Sequence, residues 1–139
     1  MNVDNHGKIS GIQEAHGEAE GWLLPGFIDL HIHGGGGKDL MEGGDALHTL
    51  TKAHARCGTT SLLATTVTAS PESLTSVLND VRAYMNEPRR PETSRVLGVH
   101  LEGPFVNPNK LGAQPPESRV ATRKEIDHLL ELADIRLIT

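Results

Sequence analysis

Two short blocks of this sequence combine residue types that can bind a divalent cation. The first is His31-Ile32-His33. In an extended strand, residues i and i+2 face the same way with Cα atoms about 6.5–7 Å apart, so two imidazoles at this spacing can converge on one ion. Imidazole is the commonest side-chain ligand for metals. The second block is His100-Leu101-Glu102, in which His100 and Glu102 share a face and Glu102 closes a strand before Gly103-Pro104. A carboxylate there is a further ligand type. Each block alone also fits hydrogen-bonded, inert polar residues at a strand end. Together they bring His31, His33 and Glu102 to one end of one sheet, where sites in such sheets lie. Asp29 falls on the same face as His31. It reads either as a partner for a metal-bound imidazole or as a buried structural carboxylate.

Other motifs are absent. Gly34 to Gly37 followed by Lys38-Asp39 lacks the spacing and the Lys-Ser/Thr of a phosphate loop. No Pro-Cys-x-x-Cys follows His100-x-Glu102, as a zinc deaminase needs. His6 and His16 lie in a polar start, and His48, His54 and His128 on helices. All five read as structural or solvated.

The elements that must position these residues follow from pattern. Residues 27–33 form a strand bounded by Pro25-Gly26 and the glycine run. A helix over 45–57 is ended by Gly58, and Thr-rich residues 59–68 form a second strand. Ser70-Pro71 opens a helix as N-cap and first helical residue. Leu74, Val77, Leu78, Val81 and Met85 form its buried stripe. A third strand over 95–102 leads into a long loop, 103–120. Thr122-x-x-Glu125 is a capping box for a helix reaching Ala133, and residues 135–138 begin a fourth strand. This order predicts an α/β fold with a parallel sheet and helical crossovers. Residues 1–21 are polar and Gly-rich, with at most a short strand over 8–12; residues 22–139 form the main unit.

The chain has 139 residues, a net charge of -5 and one cysteine, Cys57. No internal disulfide or four-cysteine zinc site can form. The charge argues against nucleic acid and anionic membranes as partners, and the cluster Arg89, Arg90 and Arg95 reads as a solvated loop. No apolar run reaches the about 20 residues of a membrane span, and no signal peptide is visible. A cytoplasmic location is expected.

Pro25-Gly26-Phe27-Ile28-Asp29-Leu30-His31-Ile32-His33-Gly34 resembles the first barrel strand of the amidohydrolase superfamily. His100-Leu101-Glu102-Gly103-Pro104-Phe105, with Lys110-Leu111-Gly112-Ala113-Gln114 and the strand start Gly58-Thr59-Thr60-Ser61, resembles N-acetylglucosamine-6-phosphate deacetylases. The resemblance implies a (β/α)8 barrel, here its N-terminal half, preceded by a remnant of a small β-sandwich in residues 1–21. It implies metal-dependent deacetylation of N-acetylglucosamine 6-phosphate, a phosphorylated amino sugar, to glucosamine 6-phosphate and acetate. His31, His33 and Glu102 match metal ligands, and one or two ions of Zn, Fe, Mn or Co suit them. Ala113 and Gln114 match substrate-contacting positions. Many relatives carry His where Gln114 stands, and an amide cannot be cationic. The resemblance places the general acid–base Asp and two more metal-binding His beyond Thr139, and implies a homodimer for a full-length parent. The 139 residues alone are then expected to be inactive. The competing readings are a cyclic-amide hydrolase and a non-catalytic half-barrel that assembles with a partner chain.

Overall fold

Gly7, Ala15 and Glu18 to Glu20 lie outside what the computed structural model describes; every other residue of the chain is described. The part of the polar start expected over residues 1–21 that falls on those five positions lies outside the described residues. Around them, β1 (Asn2–Val3) and β2 (Ile9–Gly11) pair antiparallel. The short strand expected near Ile9 is present, with a partner that its sequence did not announce.

From Phe27 the pattern of branched residues and breakers sets the elements. β3 (Phe27–Ile32) runs into β4 (Gly34–Gly35) and β5 (Lys38–Asp39), a small hairpin rather than a bare turn. Gly36 and Gly37 join them at φ of 65° and 82°, a turn with two positive φ values that glycine adopts freely. Then come α1 (Ala46–Ala55), β6 (Thr59–Thr65), α2 (Pro71–Met85), β7 (Arg95–Leu101), α3 (Arg123–Leu132) and β8 (Ile135–Ile138). Ser70 caps α2 as its sequence predicts, accepting the Ser73 N–H at 3.2 Å. At α3 the capping box is half made. Thr122 Oγ1 accepts the Glu125 N–H, but the Glu125 carboxylate turns to Arg119 at 2.8 Å instead of returning to the cap.

β3, β6, β7 and β8 form one parallel sheet in that order. All three helices pack on one face of it. Ile32, Leu62, Ala64, Val99 and Leu101 meet Leu50 of α1, Leu74 and Leu78 of α2, and Leu129 of α3 in one buried cluster. Each such buried Leu, Ile or Val side chain contributes about 1.5–3 kcal/mol. The other face is uncovered: Leu30, Leu63, Leu97 and Leu137 line an open depression there. The expected α/β class with a parallel sheet is therefore present. β7 stops at Leu101, so Glu102 is the first residue past the strand and not its last.

Candidate metal centre

The C-terminal end of β3 is held by side chains where the ladder fails. Asp29 pairs with Leu62 of β6, but the next pair is Ile32 with Ala64, so β3 carries one residue more than its neighbour over this stretch. Such a bulge leaves peptide groups without ladder partners. The His31 N–H donates to Asp29 Oδ1 at 3.0 Å, and the Ile32 N–H to Thr65 Oγ1 at 2.9 Å. Beyond it the His31 and His33 rings meet edge-on, with centroids 4.8 Å apart.

β7 delivers Glu102 to the same place. His31 Nε2 and His33 Nε2 lie 3.1 Å apart, and Glu102 Oε2 lies 3.4 and 3.0 Å from them. Among the described residues this is the one cluster of three such groups able to hold a metal ion. Its protons decide what it can bind. His33 Nδ1 sits 3.2 Å from the Thr65 carbonyl oxygen. A carbonyl can only accept, so Nδ1 carries the hydrogen and Nε2 of the neutral ring keeps its lone pair. Glu102 Oε2 is buried and receives no hydrogen bond, despite two imidazole nitrogens within contact distance. The His33 Nε2 lone pair thus faces the Glu102 carboxylate lone pairs at 3.0 Å, an arrangement that a cation relieves. A tetrahedral ion with bonds of about 2.0–2.1 Å separates its ligand atoms by about 3.3–3.4 Å. The observed 3.0–3.4 Å spacings fit that requirement.

The remaining sequence expectations fare unevenly. Asp29 partners the backbone N–H of His31, not an imidazole. His100 does not join the triad: it is buried beneath it, its ring 4.9 Å from that of His31. Gln114 Oε1 accepts the Thr68 N–H at 2.7 Å, which leaves its amide NH2 as the free donor end. Ala113 is exposed beside it in the loop. Thr65 acts through its position against a bulge, for which its residue type carried no signal. His54, read as structural, binds the Gly34 carbonyl at 2.9 Å.

The amidohydrolase family model matches residues 22–136. The chain belongs to the amidohydrolase family. Among amidohydrolases it is 39% identical over 125 residues to N-acetylglucosamine-6-phosphate deacetylase of Bacillus subtilis, covering 81% of this chain and 32% of that protein. It is also 39% identical, over 113 residues, to N-acetylgalactosamine-6-phosphate deacetylase of Escherichia coli O157:H7, covering 80% of this chain and 29% of that one. The crystal structure of N-acetylglucosamine-6-phosphate deacetylase from Thermotoga maritima superposes with a TM-score of 0.79 at 35% identity, over 91% of this chain and 33% of that one. A mutant of the Mycobacterium smegmatis enzyme, in complex with N-acetyl-D-glucosamine-6-phosphate, gives 0.71 at 30% identity, over 88% of this chain and 32% of that one. The chain thus spans about a third of the length of the relatives it matches. Among the described residues, no helix is long and apolar enough to cross a membrane.

Proposed function

We propose that this amidohydrolase chain supplies the first metal-binding part of a deacetylase acting on N-acetylglucosamine 6-phosphate, releasing glucosamine 6-phosphate and acetate. The observation that carries the proposal is the buried Glu102 Oε2, without a donor, facing the Nε2 lone pair of His33 at 3.0 Å. His31, His33 and Glu102 would hold a divalent ion, Zn, Fe, Mn or Co. Such an ion supplies Lewis acidity toward an amide carbonyl and acidifies water at neutral pH. The chain's own residues do the rest of what is assigned here. Thr65 holds the His33 ring with its Nε2 toward the ion. Gln114, its carbonyl fixed on Thr68, offers two N–H donors to a sugar hydroxyl or phosphate, and Ala113 lines the approach beside it.

In this reading the four-stranded sheet is the first half of a (β/α)8 barrel. Residues 1–21 belong to a small β-sandwich. The acid–base Asp and two further metal-binding His come from outside residues 1–139, and the assembled enzyme is a homodimer. A phosphorylated sugar is charged and does not cross bilayers unaided, which favours work in the cytoplasm.

The relative acting on the galacto epimer supports a second substrate reading of equal chemistry, since the two sugars differ only at one hydroxyl. Acetate release by the protein at its natural length decides, measured on N-acetylglucosamine 6-phosphate, N-acetylgalactosamine 6-phosphate and a cyclic amide, before and after chelation. Preferred, chelator-sensitive turnover of the gluco sugar is expected. Preference for the galacto sugar or the cyclic amide moves the assignment to that substrate. No turnover of any of them supports a non-catalytic assembly module instead.

A further inference from the structure

His31 and His33 are held in different ways. The His33 ring is fixed at its far nitrogen by the Thr65 carbonyl. The His31 ring has, among the described residues, no hydrogen bond except the contact with His33 Nε2. A metal-binding imidazole ordinarily donates its other N–H to a carboxylate or carbonyl, which sets its orientation. For His31 something else must do so.

The peptide unit joining Leu30 to His31 lies in the bulge of β3, where neither residue has a partner in β6. Both of its polar groups are nevertheless satisfied, and both by side chains. Its N–H donates to Asp29 Oδ1 at 3.0 Å. Its C=O lies 3.0 Å from His100 Nδ1, which reaches from β7 across β6. The carbonyl can only accept, so His100 Nδ1 carries the hydrogen. His100 Nε2 is then the acceptor for the Thr139 hydroxyl at 2.8 Å. Pinned at both nitrogens and 3% exposed, the His100 ring cannot swing. It also packs edge-on against the His31 ring, at 79° between planes.

We propose that Asp29 and His100 are positioning residues that set the His31 imidazole at the metal centre by gripping the two polar ends of the Leu30–His31 peptide unit. The inference rests on the metal-binding reading of His31, His33 and Glu102. Neither residue touches the ion. Each removes a freedom that the bulge would otherwise give His31: Asp29 fixes the N–H end, His100 the C=O end and the ring's edge.

The test is Co(II) titration of the protein at its natural length, followed by visible absorption, in wild type, D29A, D29N, H100L, H100N and E102A. D29A and H100L are expected to bind Co(II) about 10- to 100-fold more weakly, the usual loss when a residue supporting a ligand is removed. Their ligand-field band should also shift, which a general loss of stability would not cause. Asn at position 29 keeps an acceptor for the N–H, and Asn at position 100 keeps a donor near the Nδ1 position, so both should restore most of the affinity and the band. D29N also covers the case of a charge effect, and D29A decides alone where the leucine variant fails to fold. Unchanged binding in D29A, or in a folded H100L, overturns the proposal. So do asparagine variants as weak as D29A and H100L, since charge or packing would then be the cause. A wild type that binds no Co(II), or binds it as well in E102A, fails the metal reading itself and takes the proposal with it.

Discussion

Thr65 grips the metal-facing end of β3 twice, once through the His33 ring and once through the Ile32 backbone. The Thr65 carbonyl accepts the His33 Nδ1–H at 3.2 Å, while Thr65 Oγ1 accepts the Ile32 N–H, one residue earlier, at 2.9 Å. Thr65 is fully buried, so water cannot replace a lost acceptor. Thr65→Val keeps the shape and the carbonyl but leaves the Ile32 N–H unpaired. A loss of about 1–3 kcal/mol in unfolding free energy is expected, with Thr65→Ser recovering most of it. Urea unfolding of the three proteins checks this; equal stability of the valine variant would mean the hydroxyl contact contributes nothing.

Gly103 places Glu102 by lying flat on the loop after β6. Its φ is 67°, and a Cβ there would overlap Thr68 Oγ1 and crowd the Thr68 backbone. Gly103→Ala therefore combines left-handed strain, about 1–3 kcal/mol, with a clash that moves one of the two segments. The expected result is a destabilised protein whose metal affinity also falls, because Glu102 moves with its neighbour. Affinity unchanged at reduced stability would separate Gly103 from the site.

Glu42 is held below the ordinary carboxylate range, first by the hydrogen bond from the Lys38 ammonium and then by the Asp39 N–H. A depressed carboxyl contributes stability above its unfolded value, and that contribution disappears as pH falls through the folded value. Lys38→Met should raise the Glu42 titration midpoint part of the way back, the Asp39 contact remaining. Carboxyl chemical shifts followed against pH read this directly, and an unmoved midpoint would assign the whole effect to the Asp39 N–H.

Residue type and period carry most of the fold. The stripe Leu74, Val77, Leu78 and Val81 is buried as its spacing predicts, and Ser70-Pro71 starts its helix. The triad is legible because His31, His33 and Glu102 are ligand types at strand ends. What is not legible depends on register. The single-residue slip between Asp29 and Ile32 decides that Asp29 meets a backbone N–H, that His100 reaches the Leu30 carbonyl, and that Thr65 completes the set. No alternation of polar and apolar residues encodes that slip. The capping box at Thr122 misleads for a related reason: Arg119, six residues before Glu125, competes for the same carboxylate.

The uncovered face of the sheet predicts association of residues 1–139 taken alone. Leu30 and Leu137 are 55% and 40% exposed there, and β3 and β8 are both edge strands of the sheet. Exposed apolar area beside unpaired strand edges favours self-pairing. Light scattering on this 139-residue polypeptide should find mass well above 15.0 kDa. A discrete dimer would mean two copies cover each other in a defined way, polydisperse species that they do not, and a stable monomer would contradict the expectation.

Metal binding at His31, His33 and Glu102 must appear as stability, because an ion that binds only the folded state stabilises it by mass action. At free metal about 100 times the dissociation constant the gain is about 2.7 kcal/mol. The gain should require the carboxylate. Glu102→Gln presents either a neutral oxygen or an NH2 group to the two Nε2 atoms, now 3.0 and 3.4 Å from Oε2. An NH2 donor there satisfies the His33 lone pair without a cation, so the metal-free variant should be at least as stable as the metal-free wild type. The two proteins are expected to diverge only on metal addition, in thermal unfolding scans with and without Zn(II) or Co(II) after chelation. Equal metal-induced stabilisation in both would place the ion elsewhere. A metal-free variant markedly less stable than wild type would mean that Glu102 is held by a proton on His31 or His33, not kept waiting for a cation.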